Sequence, residues 1–253
     1  MTEILLETQQ LCKQFGALKA CSNVSIKVKR GELHGLIGPN GAGKTTLIDL
    51  ISGTIQADSG TILFNGTELT RKPLHVRSKQ GLVRSFQVTS VFNSFTVEEN
   101  LIAAVLSRSG SSFRFFSRAV SDSTLREPAH EVMERIGLKD KRLTPAANLS
   151  HGERGQLEMG MALATQPKML LLDEPMAGLG PGGTVRLTEL INTLKESVTI
   201  LLVEHDMSAV FSLADRITVL VQGEVAATGT PDEIQLNEMV QKAYLGQGVT
   251  CLS

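Results

Sequence analysis

Short apolar runs alternate with turn residues at the start of the chain. Ile4 to Thr8, Val24 to Val28 and Leu33 to Ile37 have the length of short extended segments, and Gly16 and Gly31 provide turn positions among them. This alternation predicts a β-rich beginning.

A tight turn and two buried strands are predicted further along. Thr61 to Phe64 precede Asn65-Gly66, and the two positive-φ positions of a type I′ hairpin turn favour Asn followed by Gly. Met169 to Leu172 and Thr199 to Val203 are short apolar runs bounded by Pro and charged residues, which is typical of strands buried in a parallel sheet. The pattern therefore predicts a hairpin at residue 65 and parallel strands in the second half of the chain.

Between these parts, from about Val97 to Gln166, the pattern becomes helical with polar flanks. We therefore predict a single α/β domain over residues 1–253. In it, residues 1–87 and 167–253 form the core, and residues from about 88 to 166 form an inserted, mostly helical subdomain. A chain of 253 residues is long enough to bury a sizeable core in this way.

Composition excludes several classes of function. The formal net charge is −1, with 20% charged residues, so the chain lacks the basic field that nonspecific nucleic-acid binding requires. No apolar stretch approaches the roughly 20 residues that cross a bilayer, and the first residues do not form a signal pattern. The 3 cysteines are widely spaced and support neither a disulfide framework nor a zinc site. We expect a cytosolic protein that binds no nucleic acid.

A phosphate-binding loop is present at Gly38-Pro39-Asn40-Gly41-Ala42-Gly43-Lys44-Thr45-Thr46, which fits G-x-x-x-x-G-K-[ST] at every specified position. Its glycines allow successive backbone N–H groups to point at an anion, and the helix that follows adds its positive dipole end. We expect Lys44 to reach the β- and γ-phosphates, Thr45 to bind Mg²⁺ and Thr46 to donate to the α-phosphate.

Two carboxylates follow the apolar run at 169–172. Asp173 and Glu174 would lie at the carboxyl edge of a parallel sheet, where ligands of such sheets bind. We expect Asp173 to hold Mg²⁺ through water and Glu174 to orient the attacking water or accept its proton. An Asp-Glu pair after a buried strand also occurs by chance, but the phosphate loop favours this Walker B interpretation.

Leu149-Ser150-His151-Gly152-Glu153 resembles the L-S-G-G-Q signature of ATP-binding cassette (ABC) proteins, with His151 and Glu153 as departures. Ser150 is also a suitable N-cap for the helical run from Glu153 to Thr165, so a plain helix start is the alternative. In the family, Ser150 and Gly152 would bind the γ-phosphate held by a second ATP-binding subunit. The active unit should therefore be a dimer, either of this chain or with a related one.

Three further residues match the family in chain order. The resemblance implies that Gln87, in Arg84-Ser-Phe-Gln87, touches Mg²⁺ or the attacking water, that His205 contacts the γ-phosphate, and that Phe15 stacks on adenine. A structural His and a core Phe are the alternatives for the last two. Gly180 stands where the family usually has Asp in the loop after the carboxylates.

The resemblance covers essentially the whole chain. It implies a P-loop NTPase core with a mainly parallel sheet, an N-terminal antiparallel β subdomain and an inserted α-helical subdomain. Arg84-Ser-Phe-Gln87, Leu157-Glu-Met-Gly-Met161 and Glu204-His-Asp-Met207 are similar to the ATP-binding subunits of branched-chain amino acid importers and their urea or amide relatives.

This branch implies an ATPase that binds ATP and Mg²⁺ and lies at the cytoplasmic face of the inner membrane. Its partners would be two membrane-spanning permease subunits and, indirectly, a periplasmic or extracellular solute-binding protein. The alternatives are the ATPase of a lipopolysaccharide-type exporter and a non-transport ABC protein. The transported substrate cannot be read from the cassette itself, because specificity lies in the other subunits.

Residues 107–120 carry Phe113, Phe116 and Val120 on one helical face and Arg114 and Arg118 on another. Two interpretations stay open for this segment. It forms either a surface helix that touches the permease or lipid headgroups, or an ordinary amphipathic helix packed on its own subdomain.

Overall fold

The computed structural model describes residues 3–85, 91–108 and 122–245. Its strands form an antiparallel sheet in the order β2-β1-β5-β6, with β3 also paired to β1, and a second sheet in the order β11-β10-β4-β9-β8-β7. The strands are β1 (Ile4–Phe15), β2 (Leu18–Val24), β3 (Lys27–Lys29), β4 (Leu33–Ile37), β5 (Ser59–Phe64), β6 (Thr67–Glu68), β7 (Leu82–Arg84), β8 (Met169–Asp173), β9 (Thr199–Val203), β10 (Arg216–Val221) and β11 (Glu224–Gly229).

The second sheet is parallel from β10 through β4, β9 and β8 to β7, and β11 adds an antiparallel edge. Both predicted buried strands are present, and β9 has the predicted bounds. Because the central strands are parallel, the ends of β4, β8 and β9 meet at one edge, with Leu36 and Asp173 both paired to Val203. The functional residues predicted after these strands are thereby brought together.

The helices are α1 (Lys44–Ser52), α2 (Leu74–Lys79), α3 (Val97–Arg108), α4 (Ser123–Arg135), α5 (His151–Ala164), α6 (Pro181–Leu194), α7 (Met207–Leu213), α8 (Pro231–Gln235) and α9 (Glu238–Leu245). Between β7 and β8 the described chain forms α3, α4 and α5, with 3₁₀ turns at 139–141 and 146–148. The fold is therefore the predicted class: a mainly parallel α/β core, an antiparallel β part and inserted helices.

Apolar side chains of the parallel strands alternate between two buried clusters. Leu170 and Leu202 join one cluster with residues of α3 to α7, whereas Leu171 and Leu201 join the other with residues of α1 and the antiparallel sheet. Successive strand residues point to opposite faces, so continuous apolar runs are needed where both faces are covered. The core thus lies on both sides of the parallel sheet and holds its carboxyl edge rigid.

The N-terminal strands differ from the prediction in one place. Val24 to Val28 do not form one strand, because β2 ends at Val24 and β3 begins at Lys27. The long strand β1 is irregular at Gln10, whose φ is 49°, and its two halves pair with β3 and β2 separately. The hydroxyl of Thr8 donates to the carbonyl of Val24 and accepts the N–H of Ile26, which fixes the break.

The hairpin predicted at Asn65-Gly66 is confirmed. Both residues have positive φ, 50° and 75°, as a type I′ turn requires, and Phe64 pairs with Thr67 across it. Helix α1, predicted to follow the phosphate loop, is present and ends at Gly53, which adopts a φ of 85° and donates its N–H to the carbonyl of Asp49.

Candidate active site

The phosphate-binding loop runs from the end of β4 into α1 and is packed against two other strands. A Cβ at Gly43 would lie 2.3 Å from the carbonyl oxygen of Ala20, and one at Gly38 would lie 2.2 Å from that of Leu220. Gly43 also has a φ of 100°, in the region that favours glycine. The chain therefore needs glycine at both positions, and α1 begins with its first N–H groups directed toward the loop.

Lys44 lies inside this loop. Its Nζ donates to the carbonyl oxygens of Gly38 at 2.6 Å and Pro39 at 3.1 Å, and the residue is buried. Burial lowers the pKa of the Lys44 amine, while the negative charges of Glu174 and Asp173 oppose this shift. The ammonium group is therefore held beside both carboxylates at the centre of the predicted site.

The other loop residues differ in exposure. Thr45, Asn40 and Gly41 are exposed, Thr46 and Pro39 are half-buried, and Ala42 is buried. Thr45 is thus an exposed residue on the first turn of α1, next to Lys44 in sequence. This accessibility is compatible with the predicted contact to a metal ion.

Asp173 ends β8 and is buried. Its Oδ2 accepts a hydrogen bond from Arg84 at 2.7 Å, whereas its Oδ1 is buried without a hydrogen-bond partner among the described residues. Burial raises the pKa of this carboxyl group, and Arg84 acts in the opposite direction. A buried carboxylate oxygen without a partner suits a hard divalent cation, which binds oxygen ligands. The residues present therefore fit Mg²⁺.

The side chains of Glu174 and His205 are in contact across the sheet edge. His205 Nε2 lies 2.6 Å from Glu174 Oε1, and the N–H of Glu174 donates to the carbonyl of Val203 at 2.8 Å. Glu174 has a φ of 50°, an uncommon conformation for a residue with a side chain. Such conformations are concentrated at functional sites, where the surrounding structure holds them in place.

Glu204 is a residue whose role the sequence did not reveal. It is buried, and its carboxylate accepts N–H groups from Met176 at 2.8 Å and His205 at 3.2 Å. Burial raises the pKa of Glu204, whereas these hydrogen bonds lower it. Glu204 thus fixes the loop after Glu174 relative to His205. The feature of the sequence that could have indicated this role is the position of Glu204, directly after β9 and before His205.

The signature residues lie apart from the phosphate loop. Ser150 is the N-cap of α5, and Glu153 completes a capping box by accepting the N–H of Ser150 at 2.9 Å. Among the described residues, no hydrogen bond joins Ser150 or Gly152 to residues 38–46. They line a cavity of about 260 Å³ together with His151, Gly178, Gly180 and Arg186. The structure therefore does not bring the two motifs together within one chain.

The last predicted residues are Phe15 and Gln87. Phe15 is 49% exposed at the end of β1, and Lys13 Nζ lies 5.4 Å from its ring centroid. Its hairpin partner β2 carries Ala20, which packs against Gly43. The aromatic ring is thus on the element that borders the phosphate loop, and it is not a core residue. Gln87 and most of the segment 107–120 lie outside the described residues.

Comparisons with known proteins agree with this geometry. Residues 21–177 match the family described as "ABC transporter". LivG of Salmonella typhimurium, a "high-affinity branched-chain amino acid transport ATP-binding protein", is 40% identical over 98% of this chain and 100% of that protein. The crystal structure of MJ1267, "an ATP-binding cassette of an ABC transporter", superposes with a TM-score of 0.85 at 31% identity, covering 97% of this chain and 100% of that one.

The chain belongs to the ABC transporter family.

Membership makes it an ATP-binding cassette that hydrolyses ATP in a transport system. A second match, over residues 224–250, is to the family described as "Branched-chain amino acid ATP-binding cassette transporter". The lipopolysaccharide export ATP-binding protein LptB of Haemophilus influenzae is also similar, at 33% identity over 96% of this chain and 98% of that protein. No helix of the described residues is long and apolar enough to cross a membrane.

Replacing Lys44 by Ala should weaken ATP binding, because the buried ammonium group is the cation that lies within the phosphate loop. Titration of the purified chain with a fluorescent ATP analogue measures this effect. Lys168, an exposed lysine at the opposite end of β8, provides the control, and Lys168→Ala should bind ATP like the wild type. Equal affinity for the wild type and Lys44→Ala would contradict the role of the loop.

Proposed function

We propose that this chain is the ATP-hydrolysing subunit of an importer for branched-chain amino acids or a related small amide or urea-type solute. The observation that carries the importer branch is the match of residues 224–250 to the C-terminal family of branched-chain amino acid transporters. The higher identity to LivG than to LptB also supports import over lipopolysaccharide export.

In this proposal, Glu174 is the general base or orienting group for the attacking water. The contact of 2.6 Å between Glu174 and His205 supports a shared site, because a carboxylate and an imidazole at this distance can orient one another. His205 contacts the γ-phosphate, Lys44 binds the β- and γ-phosphates, and Gln87 contacts the attacking water or the metal. These groups act by positioning and by stabilising charge on the transferred phosphoryl group.

Mg²⁺ would be held by Asp173, the hydroxyl of Thr45 and Gln87. The bound ion neutralises phosphate charge during hydrolysis. The buried Oδ1 of Asp173, which lacks a hydrogen-bond partner in the described part of the chain, supports this assignment. Asp173 ends β8, and Thr45 lies at the start of α1 after β4, which is separated from β8 by β9 alone.

ATP would lie between two subunits. Gly38 to Thr46 bind its phosphates and Phe15 stacks on adenine, while Ser150 and Gly152 of a second ATP-binding subunit approach the γ-phosphate. The separation of the signature helix from the phosphate loop within one chain supports this dimer. The cavity at Ser150 is also lined by Gly180, which contributes no side chain to it. The second subunit is a copy of this chain or a related one.

The membrane partners would be two permease subunits, with the chain bound at the cytoplasmic face of the inner membrane and a solute-binding protein on the other side. A cavity of about 250 Å³ between β7 and the inserted helices supports a docking place there. Phe92 on its rim is 43% exposed, and Val83 and Met161 add apolar walls. We also propose that residues from about 88 to 166 form a helical subdomain carrying the signature motif, with residues 1–87 and 167–253 as the nucleotide-binding core.

Glu174→Gln keeps the size and hydrogen bonding of the side chain but removes its basic group. Turnover in the purified, partnered complex should fall by at least about 10²-fold, the scale of general-base removal, while ATP binding persists. Phosphate release measures the first quantity and nucleotide titration the second. Glu189→Gln on helix α6 is the matched control and should hydrolyse ATP normally.

The same variant tests the dimer. Because Glu174→Gln should hold ATP without cleaving it, light scattering should show a larger mass with ATP than with ADP. An unchanged rate of ATP hydrolysis in Glu174→Gln would contradict the proposed catalytic role of Glu174. An identical mass in both nucleotides, over a concentration series with and without the permease, would rule out the ATP sandwich.

Transport itself is tested in liposomes that contain the chain, the permease subunits encoded beside it and the solute-binding protein. We expect ATP-dependent uptake of radiolabelled leucine, isoleucine or valine, and its loss in Glu174→Gln. Uptake of urea or a short amide, without uptake of these amino acids, would show that the transported solute is of the urea or amide class. Export of a lipid from the same vesicles would contradict the importer branch.

A further inference from the structure

Arg84 joins two carboxylates that come from separate elements. Its Nη2 donates to Asp173 Oδ2 at 2.7 Å, and its Nη1 donates to Asp49 Oδ1 at 2.5 Å. Arg84 ends β7, Asp173 ends β8, and Asp49 lies on α1, the helix that begins with Lys44 and Thr45. One guanidinium group therefore connects the edge strand, the carboxylate strand and the phosphate-loop helix.

The bridge is largely shielded from water. The side chain of Arg84 is 12% exposed, that of Asp49 24% and that of Asp173 only 1%. A fork of N–H donors with fixed geometry suits two carboxylates at once, which a lysine does not reproduce. The contact to Asp49 limits rotation of the guanidinium group, so the contact to Asp173 is fixed in direction as well as in distance.

This contact gives the two carboxylate oxygens of Asp173 different environments. Oδ2 is occupied by Arg84, whereas Oδ1 is buried and has no hydrogen-bond partner in the described residues. Groups that hold a metal-binding carboxylate from behind set its orientation and tune its basicity. Two carboxylates and one guanidinium group also leave the bridge with one formal net negative charge.

We propose that Arg84 is a positioning residue for the metal-binding carboxylate: it holds Oδ2 of Asp173 so that Oδ1 is presented to Mg²⁺, and Asp49 holds Arg84 in turn. The inference rests on the proposed function, in which Asp173 binds the metal. Arg84 does not contact the nucleotide in this role. It acts through Asp173.

The test measures metal binding directly and needs no turnover. The free Mn²⁺ signal in electron paramagnetic resonance is followed during titration of the full chain, with a nonhydrolysable ATP analogue held below the protein concentration. Arg84→Gln should raise the half-saturating Mn²⁺ concentration by about 10- to 100-fold, as loss of such supporting groups does. The affinity for the analogue in EDTA should be unchanged.

Two further variants separate positioning from charge. Arg84→Lys keeps the positive charge but cannot bond both carboxylates, so it should restore only part of the metal affinity. Asp49→Asn removes the negative charge that pairs with Arg84 but keeps an oxygen acceptor, and it leaves the contact to Asp173, so it should raise the half-saturating concentration in the same direction by a smaller factor. Thermal unfolding without nucleotide checks that each variant is folded.

The outcomes are distinct. Unchanged Mn²⁺ affinity in folded Arg84→Gln, or full recovery in Arg84→Lys, would overturn the positioning role. Tighter Mn²⁺ binding would also overturn it, because Arg84 would then compete with the metal for Asp173. If Arg84→Gln does not fold, Arg84→Lys and Asp49→Asn decide the matter.

Asp173→Asn distinguishes a failure of this inference from a failure of the proposed metal site. Weak Mn²⁺ binding in Asp173→Asn together with normal binding in Arg84→Gln would reject the role of Arg84 alone. Normal binding in Asp173→Asn would reject the proposed metal role of Asp173, and the inference with it.

Discussion

The parallel pairing of β4, β9, β8 and β7 is the constraint on which the rest of the site depends. In parallel strands all carboxyl ends point the same way, so residues that follow them in sequence meet at one edge. Here that edge receives Lys44 after β4, Asp173 and Glu174 at β8, and His205 after β9. The buried apolar clusters on both faces of the sheet keep these strands in register and so position the residues at its carboxyl edge.

Burial of charge is the second feature of this edge. An ion removed from water costs several kcal/mol unless it is paired and hydrogen-bonded. Lys44 is bonded to loop carbonyls, Glu204 accepts two backbone N–H groups, and one oxygen of Asp173 is bonded to Arg84. The other oxygen of Asp173 is left without a partner among the described residues, and it is the oxygen that our proposal assigns to Mg²⁺.

The sequence predicted well those structural features that depend on residues close together in the chain. The strand at Thr199–Val203, the Asn65-Gly66 turn and the N-cap at Ser150 each depend on a few neighbouring residues. The break between β2 and β3 was missed because it depends on the irregularity of β1. The Arg84 bridge was missed because its partners lie 35 and 89 residues away in sequence. Pairing over such distances follows from topology, which no local pattern contains.

Anomalous diffraction locates the metal and so tests most directly whether these groups form one nucleotide site. Crystals of the chain would be grown with Mn²⁺ and an ATP analogue, and data collected at the manganese edge. We expect a single strong peak between Asp173 and Thr45, beside phosphates bound by the loop around Lys44. A manganese peak elsewhere on the chain, with none at Asp173, would contradict the account.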